Sequence, residues 1–185
     1  MSTRVRALTP ARNHKPENLP CVRARHTSLT PYLAVEDARA AHDFYVAAFG
    51  AERLQGLEDA DGRIVYGPLR IGGALMVVND AIPAAGLLPP RLGGTATLLL
   101  FFPDADAAYE RAVAAGARPV IPMNLMFIGD RHGLLICPFG HRWIIATQVE
   151  HAGDEEILAR WAKMRSVPLV LKETSHQNAG LRNSQ

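Results

Sequence analysis

Apolar and polar positions along this chain pass through the same cycle twice. Residues 30–51, TPYLAVEDARAAHDFYVAAFGA, read as a short apolar strand, an Asp turn, an alanine-rich helix and a glycine exit. Residues 97–117, TLLLFFPDADAAYERAVAAGA, repeat that plan at an offset of 67 residues, which sets Thr30 on Thr97, Asp37 on Asp104 and Ala38 on Ala105. A repeat constrains a fold more than any single element, so the chain is read as two related halves.

In the first half the pattern predicts a strand over 27–35, a helix over 38–49 capped by Asp37, and strands near 52–57, 63–71 and 74–78. Asp61-Gly62 and Gly72-Gly73 are hairpin turns. The second half predicts a strand over 95–102, a helix over 105–115 capped by Asp104, and strands at 118–121, 132–137 and 142–148. A helix over 154–164 follows, with Ile157, Leu158, Trp161 and Met164 on one side. Residues 123–127, MNLMF, are expected to be an apolar loop that covers a site or meets a partner chain. The domain plan is a basic arm at 1–25, one domain at 26–165 and a polar tail at 166–185. Within the domain, module one spans 27–78, a Pro- and Gly-rich linker 79–94, module two 95–150 and the last helix 154–165. Each module is βαβββ, and the fold class is α+β.

Composition narrows the function classes. With 185 residues, 48% of them hydrophobic, the chain can bury a sizeable core, and a net charge of +2 calls for neither nucleic acid nor a membrane surface. Cys21 and Cys137 form neither a metal spacing nor a disulfide framework. The N-terminus lacks the apolar core of a signal peptide, so a cytoplasmic location is expected.

Three stretches taken together, TPYLAVEDARAAHDFYVAAFGAE at 30–52, GGT at 93–95 and GDRHGLLICPFGHRWIIATQVE at 129–150, resemble the vicinal oxygen chelate superfamily. That superfamily includes glyoxalase I, bleomycin-resistance proteins and extradiol dioxygenases, and the nearer resemblance is to its PhnB-like branch. The resemblance implies two tandem βαβββ modules forming curled mixed sheets around a cleft, and paired chains. In members with metal chemistry, His, Gln or Glu stands at one inward position on the first and last strand of each module. Here those positions fall on Thr30, Met76, Thr97 and Ile144, none of which is a usual ligand of a divalent ion. No metal and no cofactor is therefore expected.

Strand alternation adds Tyr32, Ala34, Ala74, Val78, Leu99, Phe101, Ala146 and Gln148 to the same face, an apolar lining with a phenol, an amide and two hydroxyls. The expected ligand site comprises Thr30, Tyr32, Met76, Thr97, Leu99, Phe101, Phe127, Arg131, Ile144 and Gln148. In Asp130-Arg131-His132, Arg131 either grips an anionic group at the rim or holds an Asp that fixes a loop, and His132 is a candidate proton carrier beside Tyr32. The leading expectation is a homodimeric, metal-free protein that binds a hydrophobic or aromatic small molecule, as drug-sequestering proteins do. The alternative is an isomerase or lyase of the same superfamily, metal-free with Tyr32 or His132 as acid or base, or with metal ligands at unexpected positions.

Overall fold

The computed structural model describes residue 26, residues 28–90 and residues 96–165. The arm, Cys21, the GGT stretch and the tail named above lie outside the described residues. Module one comprises β1 (Tyr32–Val35), α1 (Ala38–Phe49), β2 (Glu52–Arg53), β3 (Leu57–Glu58), β4 (Ile64–Tyr66), β5 (Pro68–Ile71) and β6 (Ala74–Asp80). Module two comprises β7 (Thr97–Phe101), α2 (Ala105–Ala114), β8 (Arg118–Leu125), β9 (Asp130–Ile136) and β10 (Arg142–Gln148), and α3 (Asp154–Arg165) follows.

The repeat is physical as well as textual. Asp37 Oδ1 accepts the Ala40 N–H at 2.9 Å, and Asp104 Oδ1 accepts the Ala107 N–H at the same distance. Each cap is worth about 1 kcal/mol. Two residues earlier the two modules differ in chemistry at an equivalent place. Asp80 Oδ1 accepts the Ala38 N–H at 2.8 Å, whereas Thr147 Oγ1 accepts the Ala105 N–H at 2.8 Å.

The sheets run β1-β6-β5-β2 and β7-β10-β9-β8, with β1–β6 and β7–β10 parallel and the other pairs antiparallel. Two tandem βαβββ-like modules with mixed sheets are thus present, but the expected curling of the sheets around a cleft is not. Each sheet is open, because its outer strands pair with nothing on their far side. Closing or strongly curling a sheet needs long strands whose edges meet. Here β2 is two residues long, and the chain leaves it to form a separate two-stranded sheet from β3 and β4.

The helices cover one side of each sheet, and their apolar faces share one core. Phe44, Tyr45 and Phe49 of α1 meet Phe139, Phe102 and Trp143 of module two, with Tyr45 and Trp143 edge to face. Burial pushes the Tyr45 phenol well above its usual pKa, so it stays neutral, 3.7 Å from Cys137 Sγ. Cys137 is buried and free.

Residues 123–125, expected in a loop, belong to β8. Two register shifts let this strand continue through Pro119 and Pro122. Phe127 packs on Trp161 of α3, with ring centroids 5.0 Å apart, and Arg160 ties the same helix to Glu150 at 2.7 Å.

Candidate functional site: an open apolar sheet face

Strand register decides which side chains share a surface. Across β7, β10, β9 and β8 the residues align in three rows, namely Phe101–Ala146–His132–Asn124, Leu99–Ile144–Leu134–Ile121 and Thr97–Arg142–Ile136–Arg118. These rows form the side of the sheet away from α2. Apolar side chains dominate them, and Leu99 is 50% exposed, Phe101 58% and Ile121 44%. Scattered exposed hydrophobes are ordinary, but a contiguous set on one sheet face marks a surface meant to be covered.

His132 stands at one end of that face, half-buried beside Asp130. Burial lowers its pKa, and the Asp130 charge only partly opposes this. The imidazole is therefore mainly neutral at pH 7 and has a ring nitrogen able to accept a proton.

The residues singled out in the sequence fall in different places. Thr97, Leu99, Phe101, Ile144, His132 and Gln148 share the open face of module two. Gln148 lies at its margin, with Nε2 3.4 Å from the Glu150 carbonyl oxygen. Thr30 precedes β1, and Tyr32 opens that strand opposite Val77 on the surface of the other module.

Met76 is turned the other way. Leu33 pairs with Val78 and Leu69 with Met76, so Met76 and Val78 face the helix side, where Met76 belongs to the core. Ala74 shares that parity. The cause is a hairpin of different length. Ile71 and Ala74 flank a two-residue turn, whereas Cys137 and His141 flank the three residues Pro138, Phe139 and Gly140. Matching the repeats by their turn glycines slides β6 by one residue, and one residue inverts every side chain. Tyr32 pairs with Val77 as Leu99 pairs with Ile144, so the counterpart of Ile144 is Val77 and that of Trp143 is Met76. Valine is no better a metal ligand than methionine is an oxygen or imidazole donor. The four positions do not fit the divalent ion that the superfamily's chelating members hold. Among the described residues no group of three or more His, Cys, Asp or Glu is placed to hold one either.

Alternation also splits the Asp130-Arg131-His132 cluster. Arg131 points to the helix side and grips Asp106 in α2, with Nε 2.5 Å from Oδ2 and NH2 2.6 Å from Oδ1. This pairing lowers the Asp106 pKa and raises that of Arg131. Phe127, tilted at 49° against Trp161, belongs to the α3 contact. His26 Nε2 lies 3.4 Å from the Tyr66 hydroxyl, in module one. His42 is buried, its Nε2 3.0 Å from the Val78 carbonyl oxygen. Leu134, Ile136, Ile121, Arg118 and Arg142 were missed as site residues, although extending the alternation from β10 to its neighbours finds them.

Cavities flank the face. A small apolar one of about 90 Å³ lies where the modules meet and brings Met76 beside Leu99, Pro31 and Trp143. Ligand sites typically measure ~300–1,000 Å³, so it does not hold a guest of drug size. A larger one of about 530 Å³ opens at the end of module two, against Arg118, Ile136 and Arg142.

Paired βαβββ units with open mixed sheets are the architecture of one superfamily. The chain belongs to the Glyoxalase/Bleomycin resistance protein/Dioxygenase superfamily, whose pattern matches residues 23–145. It is 39% identical over 137 residues to the uncharacterized protein Mb0911c of Mycobacterium bovis, covering 71% of this chain and 90% of that one. Among solved structures it is similar to TioX from Micromonospora sp. ML1, with 27% identity, TM-score 0.54 and coverage of 66% of this chain and 99% of that one. The fold also matches a glyoxalase/bleomycin resistance protein/dioxygenase family enzyme from Burkholderia phytofirmans, with 18% identity, TM-score 0.55 and coverage of 64% and 95%. These matches single out no branch of the superfamily.

Proposed function

We propose that the chain is a metal-free small-molecule-binding protein of the bleomycin-resistance kind, which sequesters or carries a hydrophobic, partly aromatic ligand on the open face of module two. The observation that carries this reading is the row Leu99–Ile144–Leu134–Ile121, apolar and part-exposed, in which Ile144 stands at one of the positions where chelating relatives keep metal ligands. A planar guest laid on that row removes apolar area from water at about 25 cal/mol per Å². A second copy of the chain closes over the face and holds the guest between the two surfaces, since two-fold pairing is the commonest closed assembly. Thermal shift with uncharged planar aromatics tests the reading, because a ligand that binds the native state raises its apparent stability. The expected result is a rise in Tm that Ile144→Glu abolishes, with one or no tightly held metal ion distinguishing the cases. A stoichiometric zinc, nickel or iron per chain after purification without chelator overturns the metal-free part.

His132 favours a second reading as an enzyme, since a mainly neutral imidazole shares the face with Phe101. If product forms from a bound ligand and His132→Ala stops it while binding persists, the second reading replaces the first.

A further inference from the structure

We infer that the cavity at the end of the module-two sheet is an anion subsite, in which Arg118 and Arg142 hold the carboxylate of an aromatic acid. The inference rests on the proposed binding role and names the polar end of the ligand.

Arg118 and Arg142 lie on one face of the sheet, on either side of Ile136. Two strand spacings separate their backbones by roughly 10 Å, a gap that two long guanidinium side chains can close around one anion. Both line the cavity of about 530 Å³, whose walls include Pro89, Pro90 and Phe139. One wall is fixed by close packing, since a Cβ added at Gly140 would stand 3.1 Å from Pro90 Cγ and 3.2 Å from the Pro90 oxygen.

Charge is the second observation. Arg39, Arg53, Arg70, Arg131 and Arg160 each hold a carboxylate. Among the described residues, neither Arg118 nor Arg142 has one within ion-pair distance, and Arg142 Nε is buried with no acceptor. A guanidinium with no carboxylate of its own keeps its terminal N–H groups available to an anion in the cavity. Glu36 also lines the cavity and is not paired to either arginine. It repels an anion from its own side and so leaves the arginine end as the seat of the carboxylate. The rest of the acid extends along Ile136 toward the apolar row that begins at Ile144 and Leu134.

The test is titration calorimetry with naphthoate and its uncharged match naphthalenemethanol, on wild type and on Arg118→Leu, Arg142→Leu, Arg142→Lys and Ile144→Glu, each checked for folding by circular dichroism. Wild type is expected to bind naphthoate about tenfold or more tightly than the alcohol, and ~0.5 M salt should weaken only the acid. Arg118→Leu and Arg142→Leu should erase that preference and leave the alcohol's affinity unchanged, while Arg142→Lys retains part of it. Ile144→Glu should weaken both ligands, which tests the apolar face separately. Equal binding of acid and alcohol, or a preference that survives both leucine variants, overturns the anion subsite and leaves the apolar reading standing. If neither ligand binds, the subsite is overturned as well. Should Arg142→Leu fail to fold, Arg118→Leu decides alone.

Discussion

Tyr45 of α1 and Trp143 of β10 meet edge to face with ring centroids 5.4 Å apart, so the largest fully buried side chain of module two is packed on the helix of module one. A core shared in this way makes the modules stability partners. Trp143→Ala is expected to cost about 3–5 kcal/mol. Urea denaturation followed by circular dichroism and by tryptophan fluorescence, which reports Trp143 and Trp161 together, should give one coincident transition in wild type. Two separated transitions would show that the modules unfold independently.

Acid should weaken the fold through His141. Burial takes its pKa from 6.5 down to about 4, and its Nδ1 has no hydrogen-bond partner. Between those two values the unfolded chain binds a proton that the folded chain refuses, so stability falls as pH drops from about 6.5 to about 4 and levels off below that. His42 and His132, also lowered by burial, add in the same direction. The expected loss from His141 is on the order of 2 kcal/mol. His141→Phe, followed by urea midpoints across that range, should flatten the acid limb.

Gly67 sits where no side chain fits. A Cβ there would overlap the Val78 carbonyl oxygen and stand 2.6 Å from His42 Nε2, breaking into the hydrogen bond between those two residues. Gly67→Ala should destabilise by about 1–3 kcal/mol. Gly73→Ala, which meets nothing within 4 Å, serves as the control in the same thermal melts.

Assembly is read from mass in solution. Wild type should elute at twice the chain's 20.1 kDa, and Phe101→Asp should return it to one. The Phe127–Trp161 contact is internal to the chain, so Trp161→Ala should leave the assembled mass unchanged. A wild-type mass of one chain removes the proposed pairing.

Arg131 and Met76 show how far the sequence could be read. The helices, the order of the module-two strands, both Asp caps and the repeat were legible, because they depend on local pattern and capping chemistry, whereas the strands expected near 52–57 and 63–71 each divide in two. The face of β6 was not, since turn glycines give no measure of loop length and one residue reverses a strand. The sequence left Arg131 between an anion at the rim and an Asp that fixes a loop, and its partner Asp106 could not be named because it lies 25 positions away, on the first turn of another element. Arg142 carried no signal of its own in the sequence, since only the register reveals that it shares a face with Arg118. The open form of the sheets was hidden too, as no local signal announces that β2 stops after two residues.

The two register shifts and two prolines of β8 bear on solubility. This strand is the outer edge of its sheet and carries the half-exposed Val120, Ile121 and Leu125, a composition that in a flat, regular edge would template strand addition by other copies. Pro119 and Pro122 withhold two amide donors, and the bulges bend the edge out of plane. Both features oppose strand addition at this edge, while the broad side of the sheet is left to specific contact. Replacing both prolines with threonine should increase thioflavin-positive aggregation relative to wild type.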